Sequence, residues 1–470
     1  MSYLKFLSEA EIESIHQATL RILDEVGVVL KHKETQDLLA AAGVRVDGER
    51  VKFPPELVEK CIASAGKTVS IRGRNGTVKT LGDGKLYFHN LGGARDIYNA
   101  ADGSKRYATI EDVQNATRLL DALENCNTIT PFFTPRDVPG ELMSLMMYRH
   151  ALSHTTKPVQ GPGVQYPGEV KYALRMAEVI GPAPEVLTLA VSPVSPLNIP
   201  AYEAEAIVEI AKAGVAFGPL PCPTAGATAP LSMAGALAQQ NAEMLAPIIL
   251  TQIVNPGLPV IYCGRLAMME PRTGISVWGG VELGLVSAAT VQLGHHYRLP
   301  VNVYGFSTNG HTLDVQDGFE RGINAAIPAL AGADELSGIG EMEAGVSGSF
   351  AQMVADNEFA ASIRRLRRGF EVSDDALAVE VIAKVMDGSH NFLGQKHTMK
   401  YLKSGEVLMT KMANRDTWEQ WEAGGRQGLA ERAQAEAERI LREHQVEPLE
   451  DAQLRELDAI MATAEKELVK

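Results

Sequence analysis

The richest set of reactive side chains in this sequence follows a short apolar run. Val301–Tyr304 (VNVY) reads as a strand. It leads into a glycine-punctuated loop, Gly305–Asp317, that carries Ser307, Asn309, His311, Asp314 and Asp317. In α/β barrels the functional groups sit where strands end, so this loop is where chemistry is expected. The competing reading is an ordinary strand-to-helix loop in which Asp314 or Asp317 caps the next helix. Metal chemistry is not indicated. His150 and His154 have helical i,i+4 spacing, but the segment reads HALSH and lacks the H-E-x-x-H glutamate. His295 and His296 are adjacent and point apart on a helix. The glycine-rich runs LGGAR and GFSTNG have neither dinucleotide-binding nor Walker spacing. A barrel lyase or hydrolase would need a metal or a paired acid and base, and neither stands out.

Elements that could position such a loop recur along the chain. Candidate strands are 127–133, 157–161, 186–192, 215–221, 258–263, 300–305 and 334–339, with helical segments such as 201–213, 232–254 and 281–297 between them. Repeated strand–helix units imply a parallel sheet, and this many favour a closed (β/α)8 barrel. Seven strands are visible. The eighth is expected within 341–350 or among the N-terminal strands. Residues 8–45 read as helical and capped by Ser8, with Ile12, Ile15, Ala18, Ile22 and Val26 on one face. Val44–Phe53 reads as a hairpin about Asp47-Gly48, Pro54 starts a helix, and 67–90 reads as further strands. Charged amphipathic helices follow residue 414, expected to pack on the barrel or on another subunit. The expected organisation is thus an α+β decoration over 1–105, a TIM-type barrel over 106–410 and a helical extension over 411–470.

Composition narrows the class. A chain of 470 residues suits one barrel of about 250 residues plus decorations. A net charge of −14 argues against nucleic acid as a partner. No apolar run of membrane-spanning length is seen, the N-terminus lacks a signal-like start, and Cys61, Cys126, Cys222 and Cys263 are scattered without a pairing pattern. A cytoplasmic protein that binds no membrane is expected.

Several blocks then resemble the trimethylamine methyltransferase family, in the same order as in that family. They are NLGGARDIY (Asn90–Tyr98), VSPVSPLNI (Val191–Ile199), QQNAEMLAPIILTQ (Gln239–Gln252), ELGLVSAA (Glu282–Ala289), VYGFSTNG (Val303–Gly310), GIGEMEAGVSGSFAQMVADNE (Gly338–Glu358) and NFLGQKHT (Asn391–Thr398). The resemblance covers nearly the whole chain and supports the barrel over an open sheet. The founding trimethylamine enzymes carry pyrrolysine in the loop after this strand. Matching VYGFSTNG puts Ser307 at that position, so the sequence resembles the non-pyrrolysine branch, whose members demethylate quaternary amines such as glycine betaine, proline betaine, carnitine and butyrobetaine. Displacing methyl from a quaternary ammonium expels a neutral tertiary amine, so no proton need be supplied. A tertiary amine would first need protonation or other activation. The resemblance therefore implies transfer of a methyl group from a quaternary amine to the Co(I) corrinoid carried by a separate partner protein, with no cofactor bound tightly by this chain. The alternatives are a tertiary amine demethylase without pyrrolysine and a non-catalytic betaine-binding protein. Related enzymes acting on thiols or alcohols use zinc, and no matching His and Cys pattern occurs here. A homo-oligomer is expected from the amphipathic tail.

A quaternary ammonium is held by aromatic faces because it cannot donate a hydrogen bond. Tyr98, Phe350, Phe306, Tyr304 and Phe133 lie near expected strand ends or in the family-like loops. If Ser307 faces the lumen of a regular strand, Tyr304 and Phe306 face the helices unless the strand has ended. A betaine carboxylate could be met by Arg95, Arg136, His89 or His311; Arg95-Asp96 and Arg136-Asp137 are neighbours that do not easily pair, leaving each arginine to act outward. Glu243, in an almost wholly apolar helix, could balance the substrate cation. Ser307 and Glu243 are thus the catalytic candidates, and Tyr98, Phe350, Phe306, Tyr304, Phe133, Arg95 and His311 the substrate contacts.

Overall fold

The computed structural model describes residues 3–161, 163–164 and 166–469. Eight parallel segments close into a (β/α)8 barrel. Tyr87–Asn90 follows Glu335–Ile339 in the ring, and single bridges carry it on through Thr128 and Ile129 to Val159. Gly161 N–H then donates to the Thr188 carbonyl at 2.9 Å, joining Thr188–Val191 and Ala216–Pro219. A bridge from Phe217 to Val260 leads to Tyr262–Gly264, Val301–Tyr304 and back to Glu335–Ile339. The strand left unplaced by the sequence is Tyr87–Asn90, out of the segment read as decoration. The 341–350 region forms no barrel strand. Glu341–Met342 and Ser347–Gly348 pair with each other and extend through Asp96–Tyr98 to Lys105–Tyr107, a small sheet beside the C-terminal end of the barrel.

The expected continuous helix over 8–45 is broken. Glu9–Arg21 has the predicted Ser8 cap, completed as a capping box with Glu11. The chain then widens into the π-helical turn Ile22–Val26, turns at Gly27, runs as the strand Val28–Leu30, and resumes as the helix Lys33–Ala41. Gly27 has φ 76°, and a Cβ there would come within 2.6 Å of the Val51 carbonyl oxygen. Its backbone conformation and the close approach of the neighbouring strand together end the helix, which apolar spacing alone does not reveal.

The antiparallel hairpin Val69–Arg72 and Val78–Leu81 plugs the N-terminal end of the barrel. Val69 and Leu81 pack with the lumen residues Ala216, Ile261 and Cys263. Strand alternation places Lys79 on the same face as Leu81. The helix Met233–Val254 is buried from Ala236 to Gln252, apolar on all sides because N-terminal helices cover it against the barrel. Its buried amide Asn241 is satisfied by Thr19, Tyr262 and Tyr297 at 2.7–3.0 Å. The tail helices Leu429–Glu443 and Asp451–Leu468 pack on Phe350–Arg368 and Pro167–Ile180. No described helix is long and apolar enough to cross a membrane.

Candidate functional site

A cavity of about 420 Å³ opens at the C-terminal ends of the barrel strands. Its wall includes His89, Thr130, Gln160, Thr188, Ala190, Gly218, Cys263, Arg265, Asn302, Tyr304 and Ser337. Most are lumen-facing positions of successive strands. Asn302 and Tyr304 point inward while Val301 and Val303 join the core behind them. The strand ends at Tyr304, so Tyr304 lines the cavity, and the outward orientation foreseen for a strand continuing to Ser307 does not arise.

Charge in the lumen is organised around Glu335. Its Oε1 accepts from Lys79 Nζ at 2.7 Å, and both side chains are almost wholly buried. Oε2 accepts from Asn302 Nδ2 at 2.7 Å and from Gln160 Nε2 at 3.3 Å, with His89 Nε2 4.0 Å away. Burial opposes the Glu335 charge, but the Lys79 ammonium, then His89 and the hydrogen bonds, more than offset it and hold the carboxyl at about 2. Burial pushes His89 down to about 4, so its imidazole is neutral at pH 7 despite Glu335 nearby. Its Nδ1 is buried without a hydrogen-bond partner.

Arg265 is 5% exposed. Its Nη1 donates to the Gly264 and Asn302 carbonyls at 2.9 and 3.0 Å, and its Nη2 to Asn302 Oδ1. Its guanidinium carbon sits 4.5 Å from the centroid of the Tyr304 ring. No carboxylate among the described residues pairs with it. Lys79 and Arg265 therefore set two positive charges against one ionised carboxylate, Glu335, in the lumen. Such a surplus in a low-dielectric cavity attracts an anionic ligand group, and a guanidinium is suited to a carboxylate.

Ser307 is fully buried outside this wall and donates to Glu341 Oε1 at 2.5 Å. Glu341 Oε2 has no hydrogen-bond partner. Burial pushes the Glu341 carboxyl up to about 8, against the Ser307 hydrogen bond and the Arg321 charge, so it is largely protonated at pH 7. Arg321, also fully buried, fixes this loop: it meets Asp317 at 2.6 Å and Asp356 at 3.0 Å and donates to the Phe306 and Glu341 carbonyls.

The other expected site residues are dispersed. Glu243 accepts from Ser195 Oγ, Leu197 N–H and Gln239 Nε2 at 2.7–2.9 Å, pinning the loop after Thr188–Val191. Phe306 packs on Phe88 with centroids 5.7 Å apart, and Phe133 meets Phe350 at 6.1 Å; neither pair lines the cavity. Tyr98 ends the strand Asp96–Tyr98, paired with Lys105. His311 is exposed, 3.8 Å from Glu343. The expectation that Arg95 is unpaired is corrected: its Nε and Nη2 grip Asp96 at 3.0 and 2.8 Å, because Asp96 sits in a strand whose neighbour Arg95 is free to curl back. Arg136 lies over the Tyr107 ring at 5.3 Å. Tyr304 is the one expected contact that reaches the cavity, joined by His89. Sequence reading missed Arg265, Asn302, Lys79 and Glu335. The signal available was a polar residue inside each apolar strand run, VNVY and PVIYCGR.

Comparison with known proteins places this barrel among amine methyltransferases. Solved monomethylamine methyltransferase (MtmB) of Methanosarcina barkeri shares its fold, with a TM-score of 0.51 and 13% identity over 93% of this chain and 87% of that one. The sequence model of the trimethylamine methyltransferase (MTTB) family matches residues 1–469, and the chain belongs to that family. Trimethylamine methyltransferase MttB of Desulfitobacterium hafniense strain DCB-2 is 31% identical over 469 residues, covering 98% of this chain and 94% of the relative. Glycine betaine methyltransferase of D. hafniense strain Y51 is 29% identical over 471 residues, covering 98% and 97%.

Proposed function

We propose that this protein transfers a methyl group from a quaternary amine that also carries a carboxylate, a glycine betaine-type substrate, to the Co(I) corrinoid of a separate protein. The observation that carries this reading is Arg265, a buried guanidinium on the cavity wall with no carboxylate paired to it among the described residues. A betaine carboxylate meets that charge, whereas trimethylamine offers nothing to it. The chain binds the carboxylate through Arg265 and turns the ammonium toward the mouth. Excluding water there leaves the methyl carbon open to attack from one side. The corrinoid supplies the nucleophile: its electron pair forms the new bond to carbon, and the carbon–nitrogen pair leaves with nitrogen as a neutral tertiary amine. No proton moves, which fits Ser307 at the position where the founding enzymes carry pyrrolysine. Apolar side chains exposed on the strand-to-helix connections and the first two turns of the helices that follow, among them Tyr166, Tyr202, Leu231, Ile275 and Phe319, give the mouth a rim on which a partner can seat.

The test supplies the purified protein with reduced corrinoid partner and glycine betaine, proline betaine, carnitine, butyrobetaine or trimethylamine, and follows cobalt absorbance. Methyl transfer from one or more carboxylate-bearing quaternary amines and none from trimethylamine is expected. Transfer from trimethylamine alone overturns the reading. Binding without transfer from any of them assigns a non-catalytic amine-binding protein.

A further inference from the structure

Residues 369–405 leave the barrel and return to it. The helix Phe350–Arg368 ends near the N-terminal face of the barrel, where Arg367 donates to the Ala333 and Gly84 carbonyls just before two barrel strands. There Arg365 and Arg368 clamp both feet of an arm: Arg365 donates to the Gly369 and Glu406 carbonyls at 2.7 and 2.8 Å, and Arg368 to those of Ser404 and Gly405. Between the feet lie the short helices Asp374–Leu377, Val379–Met386 and Lys396–Lys403, tied to each other by Asp375, which accepts from Lys400 at 2.6 Å and Tyr401 at 2.9 Å.

The arm has almost no interior. Val385 is its one buried side chain among the described residues. Phe370, Val372, Leu377, Met386 and Leu393 are each more than half exposed, Leu393 at 91%. On the helix Val379–Met386, Val379, Ile382 and Met386 are all exposed and lie at i, i+3 and i+7, an uncovered apolar stripe of the kind that seats another helix. Counting the exposed apolar side chains from Phe370 to Leu402, the bare area is on the order of 500 Å². That is as large as the largest patch of a typical monomer, about 300–600 Å², and most of the ~800 Å² per partner of a stable interface.

We propose that this arm is the surface through which the protein associates with a second copy of itself, arm against arm. Charge selects the occupant. The whole chain carries −14, so copies repel over most of their surface. In the arm, Lys384, Lys396, Lys400 and Lys403 nearly balance Glu371, Asp374, Asp375, Glu380 and Asp387. Two arms can therefore meet without that repulsion. Location selects it too: the arm roots at the barrel end opposite the cavity, so a lasting contact there leaves the mouth open. A surface this apolar suits a permanent partner, since obligate interfaces are the more hydrophobic ones.

Sedimentation equilibrium of the full chain is expected to give a multiple of the 50.6 kDa monomer at micromolar concentration. Ile382→Glu and Leu393→Glu, both at exposed positions, are expected each to weaken association at least tenfold while helical circular dichroism is unchanged. Amide exchange over 379–402 should quicken on dilution of the wild type. A wild-type monomer overturns the proposal, as does an oligomer that neither substitution weakens. A monomer whose arm variants lose methyl transfer to the corrinoid partner also overturns it and assigns the arm to that partner.

Discussion

The Arg265 guanidinium lies over the face of Tyr304, 4.5 Å from the ring centroid, and both residues line the same cavity. Trp278 meets the same ring edge-on at 5.2 Å. The Tyr304 face is thus engaged by a cation of the protein itself, and the pair presents a positively charged, rigidly backed wall to whatever enters.

Removing that charge should separate carboxylate binding from ammonium binding. Arg265→Ala is expected to raise KM for glycine betaine by about 10- to 100-fold, the value of a charged hydrogen bond of roughly 1.5–3 kcal/mol. Arg265→Lys should lose less, because charge is kept and only the fork is lost. Steady-state kinetics with a betaine and with tetramethylammonium checks this: an equal loss on both substrates would remove the carboxylate role.

The Lys79–Glu335 pair should be costly to break from one side only. Lys79→Met leaves a buried carboxylate uncompensated and is expected to destabilise the fold by about 3–5 kcal/mol. Adding Glu335→Gln should restore more than half of that, because Asn302 and Gln160 can still pair with the amide. Urea unfolding of the two variants measures both effects.

The buried Glu341 carboxyl gives a pH dependence of stability. Its folded pKa of about 8 stands above its ordinary value of 4.5, so the folded state holds a proton that the unfolded state releases. Stability from this group is full below pH 4.5 and falls as pH rises toward 8, by up to about 1.4 kcal/mol per pH unit. Asp356, raised to about 7, acts in the same direction. His89, lowered to about 4 from 6.5, works oppositely but only below pH 6.5. The loss attributable to Glu341 therefore stands clear between pH 7 and 8, and Glu341→Gln is expected to flatten thermal-melting profiles there.

Glu243 separates a positioning role from a catalytic one. Glu243→Gln keeps most of the loop contacts, so less than about a tenfold loss in kcat/KM is expected, with faster amide exchange at Leu197. General acid–base participation would cost about 10²–10⁴, and a loss of that size with the loop unaltered would return Glu243 to the chemistry.

Much of the barrel was legible because its strands and helices alternate with distinct periods. Thr188–Val191, Ala216–Pro219, Val301–Tyr304 and Glu335–Ile339 all fall within expected strands. Tyr87–Asn90 lies among the N-terminal strands, one of the two places open for the eighth barrel strand; spacing alone does not choose between them, because its partner Glu335–Ile339 lies far along the sequence. The site was less legible. Aromatics were sought as a cage, yet Phe133, Phe306 and Phe350 fill the core beside the barrel, as large apolar rings usually do. Arg265 and Lys79 give no local hint, since each acquires its surroundings only when distant strands close. Arg95 pairs with its own neighbour through a flexible side chain, which residue spacing alone does not forbid.

The hairpin that closes the bottom of the barrel ties the site to the order of synthesis. Lys79 and Glu335 are 256 residues apart. At about 5–20 residues per second, the lysine emerges from the ribosome roughly ten seconds to a minute before its carboxylate exists. Until then the hairpin carries a charge it cannot bury, and the plug has no seat. The N-terminal segment, first to be made, is therefore among the last to be locked, and the electrostatics of the cavity are settled only when the final barrel strand arrives.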